Sequence, residues 1–205
     1  MPARSAIARR HRAVLLDVAV TEPSTFDWVR RMGVHEAYHL DRTNRVIHWL
    51  CIPIELAAVV KLLGLVTSPI DVSLLTILVV GSLYVLADRV AGLVMMALLL
   101  GLRAWVAPLT TGSAPFDVAL AVAIFATAFT FQTRVGHGIF ESGIDDTDMN
   151  LAELRRTGNP IPILLVFYYH ALELLFAVGY RPATAEAMRR HQTRELARIP
   201  NDPRR

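Results

Sequence analysis

The chain has 205 residues, 54% of them hydrophobic, with a formal charge of +3 and a mean hydropathy of +0.41. That balance excludes an ordinary soluble domain and fits a small integral membrane protein built as one domain. Cys51, the single cysteine, excludes an internal disulfide and a thiolate metal cage, and the modest charge, gathered in membrane-flanking segments, argues against a nucleic-acid surface.

Residues 1–25 read as a polar, basic leader. Ser24 or Thr25 is expected to cap a short helix carrying Phe26, Trp28, Met32 and Val34, with Asp27 favourable in its first turn. Five apolar runs follow, near 46–66, 70–87, 90–108, 117–135 and 160–180, each close to the ~20 residues of a bilayer-spanning helix. The first begins behind the arginine-rich leader, so no signal peptide is expected. Thr67-Ser68-Pro69, Asp88-Arg89 and the stretch from Pro108 to Pro115 separate the runs, and 136–159 is the one long polar connection. From Arg181 onward, alternating arginine, alanine and acids predict a surface helix ending before Pro200. The expected organisation is thus a leader (1–25), an all-α membrane domain (26–182) and a polar tail (183–205).

Charge sets the expected orientation. The leader and the first helix carry Arg9, Arg10, Arg12, Arg30, Arg31, Arg42 and Arg45, which places that side in the cytoplasm. The connections at 67–70 and 108–117 hold no basic residue, whereas Arg89, Arg155 and Arg156 sit in the other two. Four spans satisfy this pattern. The fifth run breaks it, because a crossing would export an arginine-rich tail, and Pro160, Pro162, His170 and Glu173 suit a simple lipid-facing helix poorly. A re-entrant or interfacial segment on the cytoplasmic side is expected there, a true fifth span being the alternative. Lys61 is the only lysine, and that arginine skew points to a high-GC bacterial gene, hence to an inner-membrane protein with both termini cytoplasmic.

Histidines gather at the ends of two runs. Asn44 and His48 are spaced i,i+4 and share a face of a helix entering the membrane; a turn around Asp41-Arg42-Thr43 would fold His39 back toward His48. His35 and His39 have the same spacing on the preceding helix. At the far end of the fourth run, Gln132-Thr133-Arg134-Val135-Gly136-His137-Gly138-Ile139-Phe140-Glu141 puts His137 and Glu141 on one face, with glycines allowing close backbone approach. Imidazole with carboxylate is the donor set of a divalent iron, manganese or zinc site. The charge-derived topology brings both ends to the cytoplasmic face, where His170 and Glu173 join them if the last segment is re-entrant.

Three stretches also resemble a known family. The H-x4-N-x3-H run from His39 to His48 leads into Cys51-Ile52-Pro53; Q-x3-G-H-x3-E follows at 132–141; and Leu172 to Pro182 carries E-x-L-F-x-x-G-Y-x-P. In that order, across roughly residues 35–182, they resemble the small membrane proteins typified by the yeast 2-hydroxy-palmitate dioxygenase of the route from phytosphingosine to odd-numbered fatty acids. The resemblance implies an iron(II)-dependent dioxygenase that shortens a 2-hydroxy fatty acid by one carbon, taking O2 and a fatty-acyl substrate from the membrane. Carried over residue by residue, it implies His39, His48 and His137 as metal-binding residues, with Asn44, Gln132 and Glu141 as polar companions. The chain departs from the family's pattern at Ser142–Asp148 and at His170.

Two further readings are kept. Asp145, Asp146 and Asp148 form an acidic cluster of the kind that holds Mg2+ against a diphosphate, which would make an isoprenoid-processing enzyme; the plainer reading is a solvated loop before Leu151-Ala152-Glu153. A non-enzymatic lipid-binding scaffold is the third. His-box desaturases are disfavoured by the histidine count of seven. Glu55 and Lys61 are expected to face the bundle or snorkel, Arg103 and Trp105 to reach headgroups, and His11 and His191 to be solvated.

Overall fold

The computed structural model describes residues 27–141 and 147–198, with only the backbone described for Thr147, Asp148 and Met149. The leader (1–25) lies outside the described residues, as do Asp145 and Asp146. Every regular element among the described residues is helical. In chain order these are α1 (Trp28–Ala37), α2 (Arg42–Gly64), α3 (Val72–Ala87), α4 (Arg89–Val106), α5 (Ala114–Phe131), a π-helical segment (Gln132–Phe140), α6 (Thr147–Thr157), α7 (Ile161–Ala177) and α8 (Pro182–Arg198).

Aspartates set the first four helix starts. Asp27, rather than Ser24 or Thr25, caps α1 by accepting from the Arg30 amide at 3.4 Å. Asp41 accepts from the amides of Thr43 (2.7 Å) and Asn44 (3.1 Å) at the start of α2. Asp71 caps α3 through the Leu74 amide, and Asp88 ends α3 while its carboxylate caps α4 through Val90 and Ala91. Each carboxylate satisfies orphan N–H groups and opposes the positive end of the helix dipole.

Among the described residues, three helices are long and apolar enough to cross a membrane: α2, α4 and the continuous helix Ala114–Phe140. The expectation of four spans plus a fifth segment meets a physical limit at α3 and α7. Asp71 and Asp88 clip α3 to 16 residues, about 24 Å at 1.5 Å per residue, short of a hydrocarbon core of about 30 Å. Pro160 and Pro162 start α7 late and hold it to 17 residues.

The chain forms two compact units, one from the segments before Arg45 and from His137 onward, the other Arg45–Gly136. In the second, α3 and α4 pack as a tight hairpin with Ile77, Tyr84, Ala91, Met95 and Leu99 buried. Gly92 makes the approach possible: a Cβ there would lie 2.3 Å from the Val85 nitrogen. Ile47, Cys51 and Ala128 form a small core with Val135 packed against it. Arg103 does not reach for headgroups as expected; it is bound to Asp71 and to Ser73 Oγ. Glu55 does face the bundle, almost fully buried, and accepts from Gln132 Nε2 at 3.4 Å.

In the first unit, α8 lies against α1. Gly33 allows this, since a Cβ there would meet His191 Cβ at 2.5 Å and Met188 O at 2.7 Å. Tyr38 donates to Glu195 at 3.2 Å, Gln192 Nε2 donates to the Glu36 carbonyl at 3.0 Å, and Leu196 packs on Val34, Ala37 and Tyr38. Arg31 grips Glu153 of α6 with two bonds of 3.1 Å, and Trp28 meets Tyr168 of α7 edge-on at 6.2 Å. The helix expected from Arg181 onward is there, and His191 on it is half-buried. Burial, then the Arg194 charge, pushes its pKa below the ordinary value.

Two outcomes follow from this packing. Gly92→Ala should lower the thermal midpoint of the purified protein, with a cost at or above the ~3 kcal/mol upper end of core overpacking, because backbone faces the new methyl. Gly101→Ala on the same helix meets nothing within 4 Å and should leave the midpoint unchanged. The second outcome concerns acid. The Leu74 amide, then Ser73, then Arg103 hold the Asp71 carboxyl at about 2, below its ordinary 3.8. A depressed folded pKa stabilises above the unfolded value and is lost as pH falls through the folded one. The Asp71 contribution should therefore be complete above about pH 4 and fade toward pH 2. Asp71→Asn should remove that share of the acid dependence in melts recorded across this range.

Candidate metal centre

The site is assembled at a turn. α1 ends at Ala37 and α2 begins at Arg42, so Tyr38 to Asp41 reverse the chain. His39 stands in that turn, and its Nδ1 lies 2.9 Å from the His35 carbonyl. A carbonyl only accepts, so Nδ1 carries the proton and Nε2 is the ring nitrogen that bears the lone pair. This is how backbone partners fix the tautomer of metal-binding histidines.

The second segment is the end of the long helix. Beyond Phe131 the backbone widens to π geometry through Phe140, where the sequence predicted only a span ending near 135. π-helical turns are rare and concentrate at functional sites. This one carries His137 inward: its ring meets that of His39 at 4.8 Å, nearly perpendicular. Glu141, at its end, is fully buried and accepts from the Asp41 amide at 2.6 Å.

His48 lies one helical turn beyond Asn44 on α2. His39, His48 and His137 each offer a ligand atom, and these atoms lie within 4.8 Å of one another, with all three residues buried. Two imidazoles on one divalent ion at about 2.1 Å sit no more than about 4.2 Å apart. The spread of 4.8 Å is of that order. The donors fit: three neutral nitrogens suit iron, zinc, copper or nickel, whereas Mg2+ takes oxygens. The buried triad can hold a metal ion.

The other expected residues are placed differently. Asn44 is fully buried in the first turn of α2, where Asp41 and not Asn44 supplies the cap. Glu141 spends one carboxylate oxygen on the Asp41 amide, which makes it a residue that positions the turn. Gln132 pairs with Glu55, two turns past His48 on α2. His170, half-buried on α7, donates from Nδ1 to the Val166 carbonyl at 3.1 Å, and its ring lies 5.7 Å from that of His35. Glu173 is half-buried on α7, one turn past His170, and is not among the grouped ligand atoms. The Asp145, Asp146 and Asp148 cluster falls outside the residues whose side chains are described.

Sequence reading passed over His35 as a site neighbour. Its ring packs on His39 at 4.0 Å and on Tyr169 at 5.4 Å, so it supports the metal-facing ring from behind. Its i,i+4 spacing to His39 was the available signal, but His39 lies past the end of α1, where that spacing no longer defines a face.

No protein-family model, curated protein or solved structure matches the chain.

Anaerobic Fe(II) titration tests the centre. Wild type should bind one equivalent, and His39→Ala, His48→Ala and His137→Ala should each weaken binding by 100-fold or more. Glu141→Gln should cost about 10- to 100-fold, as losses of outer-shell partners do. His35→Ala keeps the carbonyl that bonds His39 and should retain the metal. Equal Fe(II) binding by all three ligand variants would refute the site.

Proposed function

We propose that the protein is an iron(II)-dependent membrane dioxygenase that shortens a 2-hydroxy fatty acid by one carbon. The observation that carries this reading is the buried grouping of His39, His48 and His137, the same three residues that the family resemblance implies, at the end of membrane-length helices. Three protein nitrogens leave open positions on a six-coordinate ion, as oxygen-using iron centres require. The charge pattern supports both termini, and the histidine end of α2, on the cytoplasmic side.

The overall change balances without a further reductant. The 2-hydroxy acid loses its carboxyl carbon as CO2, carbon 2 becomes the new carboxyl, and one O2 takes four electrons and yields one water. Iron(II), when bound, supplies the redox chemistry and a Lewis-acidic anchor for the carboxylate and 2-hydroxyl. The chain's own residues do the rest. Proton donation from Nδ1 to the His35 carbonyl keeps His39 in the tautomer that presents Nε2. Glu141 fixes the turn through Asp41, and burial of all three histidines keeps bulk water from the reacting atoms.

Residues acting as one unit give non-additive losses. Each single histidine variant should lose at least 100-fold in conversion of a 2-hydroxy fatty acid, followed by mass spectrometry of the one-carbon-shorter acid. The triple variant should be hardly worse than any single one. Turnover that survives chelation and continues under argon would overturn the dioxygenase reading. Magnesium-dependent turnover of a prenyl diphosphate would replace it with the isoprenoid reading.

A further inference from the structure

A second site lies at the opposite end of α2, and it stands independently of the histidine reading. A largely apolar cleft of about 710 Å³ runs among α2, α4 and α5, within the unit Arg45–Gly136. Small side chains open it: Ala57 and Ala58 on α2 face Ala121 on α5. Its volume falls in the range of ordinary ligand cavities, roughly 300–1,000 Å³. Its mouth is polar and lies where α2 and α4 end and α5 begins, the level at which a spanning helix meets headgroups. Trp105, largely exposed, stands there as interfacial aromatics do.

Two opposite charges line that mouth. The ammonium of half-buried Lys61 makes no hydrogen bond or ion pair among the described residues. Asp117 is 5% exposed and accepts from Thr110 Oγ1 (2.7 Å), the Thr111 amide (2.9 Å) and Thr111 Oγ1 (2.7 Å). A carboxylate offers about four acceptor directions, so one, on Oδ2, remains. Lys61 is near enough for its charge to act on Asp117, yet the two do not close into a pair. A cation and an anion held apart above an apolar cleft complement a headgroup that carries both charges. We propose that this cleft binds one phosphatidylethanolamine molecule, its phosphate at Lys61, its ammonium at the free acceptor of Asp117 and an acyl chain along Ala58 and Ala121.

The chemistry selects among lipids. Phosphatidylcholine has the same charges, but its quaternary ammonium has no N–H to give Asp117. Phosphatidylglycerol keeps the phosphate and has no cation. The test is native mass spectrometry of the full-length protein in detergent, titrated separately with phosphatidylethanolamine, phosphatidylcholine, phosphatidylglycerol and oleic acid. Phosphatidylethanolamine should give a single adduct at least tenfold more retained than the other lipids. Lys61→Gln should abolish that preference and Lys61→Arg should keep it. Thermal midpoints of each variant without lipid establish that it is folded. Equal retention of phosphatidylcholine or phosphatidylglycerol would overturn two-point recognition. Preference for oleic acid would overturn the proposal and reassign the cleft to a single-chain fatty acid.

Discussion

The bond from the Asp41 amide to Glu141 joins chain segments 100 positions apart, and the histidine arrangement hangs on it. Glu141 is fully buried and Asp41 half-buried, so the carboxylate is held by a charge-assisted hydrogen bond largely shielded from water, where such bonds are strong. It fixes the turn after α1 against the end of the π-helical segment. His39 lies in that turn and His137 lies in that segment, so one contact sets the distance between two of the three imidazoles. A buried carboxylate left without this donor would cost several times what a surface hydrogen bond contributes, which makes the turn hard to displace.

Around this bond, neighbouring residues each remove one freedom from the site. The His35 carbonyl chooses the tautomer of His39, and the His35 ring packs behind it. Asp41 does double duty: its amide serves Glu141 while its carboxylate caps α2 and so aims the helix that carries His48. α8, closed on α1 through Gly33, Tyr38 and Glu195, braces the helix that leads into the turn. A metal centre needs its ligands held before the ion arrives, and these contacts supply that preorganisation.

Much was legible in the sequence because it rested on local or one-dimensional rules. Hydropathy and length gave the all-helical class, and the 3.6-residue period gave the shared face of Asn44 with His48 on α2. The turn at Asp41 was readable from its residue types. Span count was less so, since windowed hydropathy ignores what capping aspartates do: Asp71 and Asp88 satisfy helix ends and thereby shorten α3, although no residue between them is charged. Arg103 shows the same limit, because an arginine at a helix end reads as a headgroup ligand until a carboxylate from another helix is placed beside it.

The sequence by itself determined helicity and the polar faces, because side-chain hydrophobicity and the 3.6-residue period act within each segment; the three histidines came from the family resemblance. Only the tertiary structure decided the widening of the helix over Gln132–Phe140, the recruitment of His35, and the withdrawal of Gln132 toward Glu55. It also decided that Glu141 holds the turn instead of joining the grouped ligand atoms. Each of these depends on which polar group finds a partner once water is excluded. That partner is set by distance in space, and no spacing along the chain encodes it.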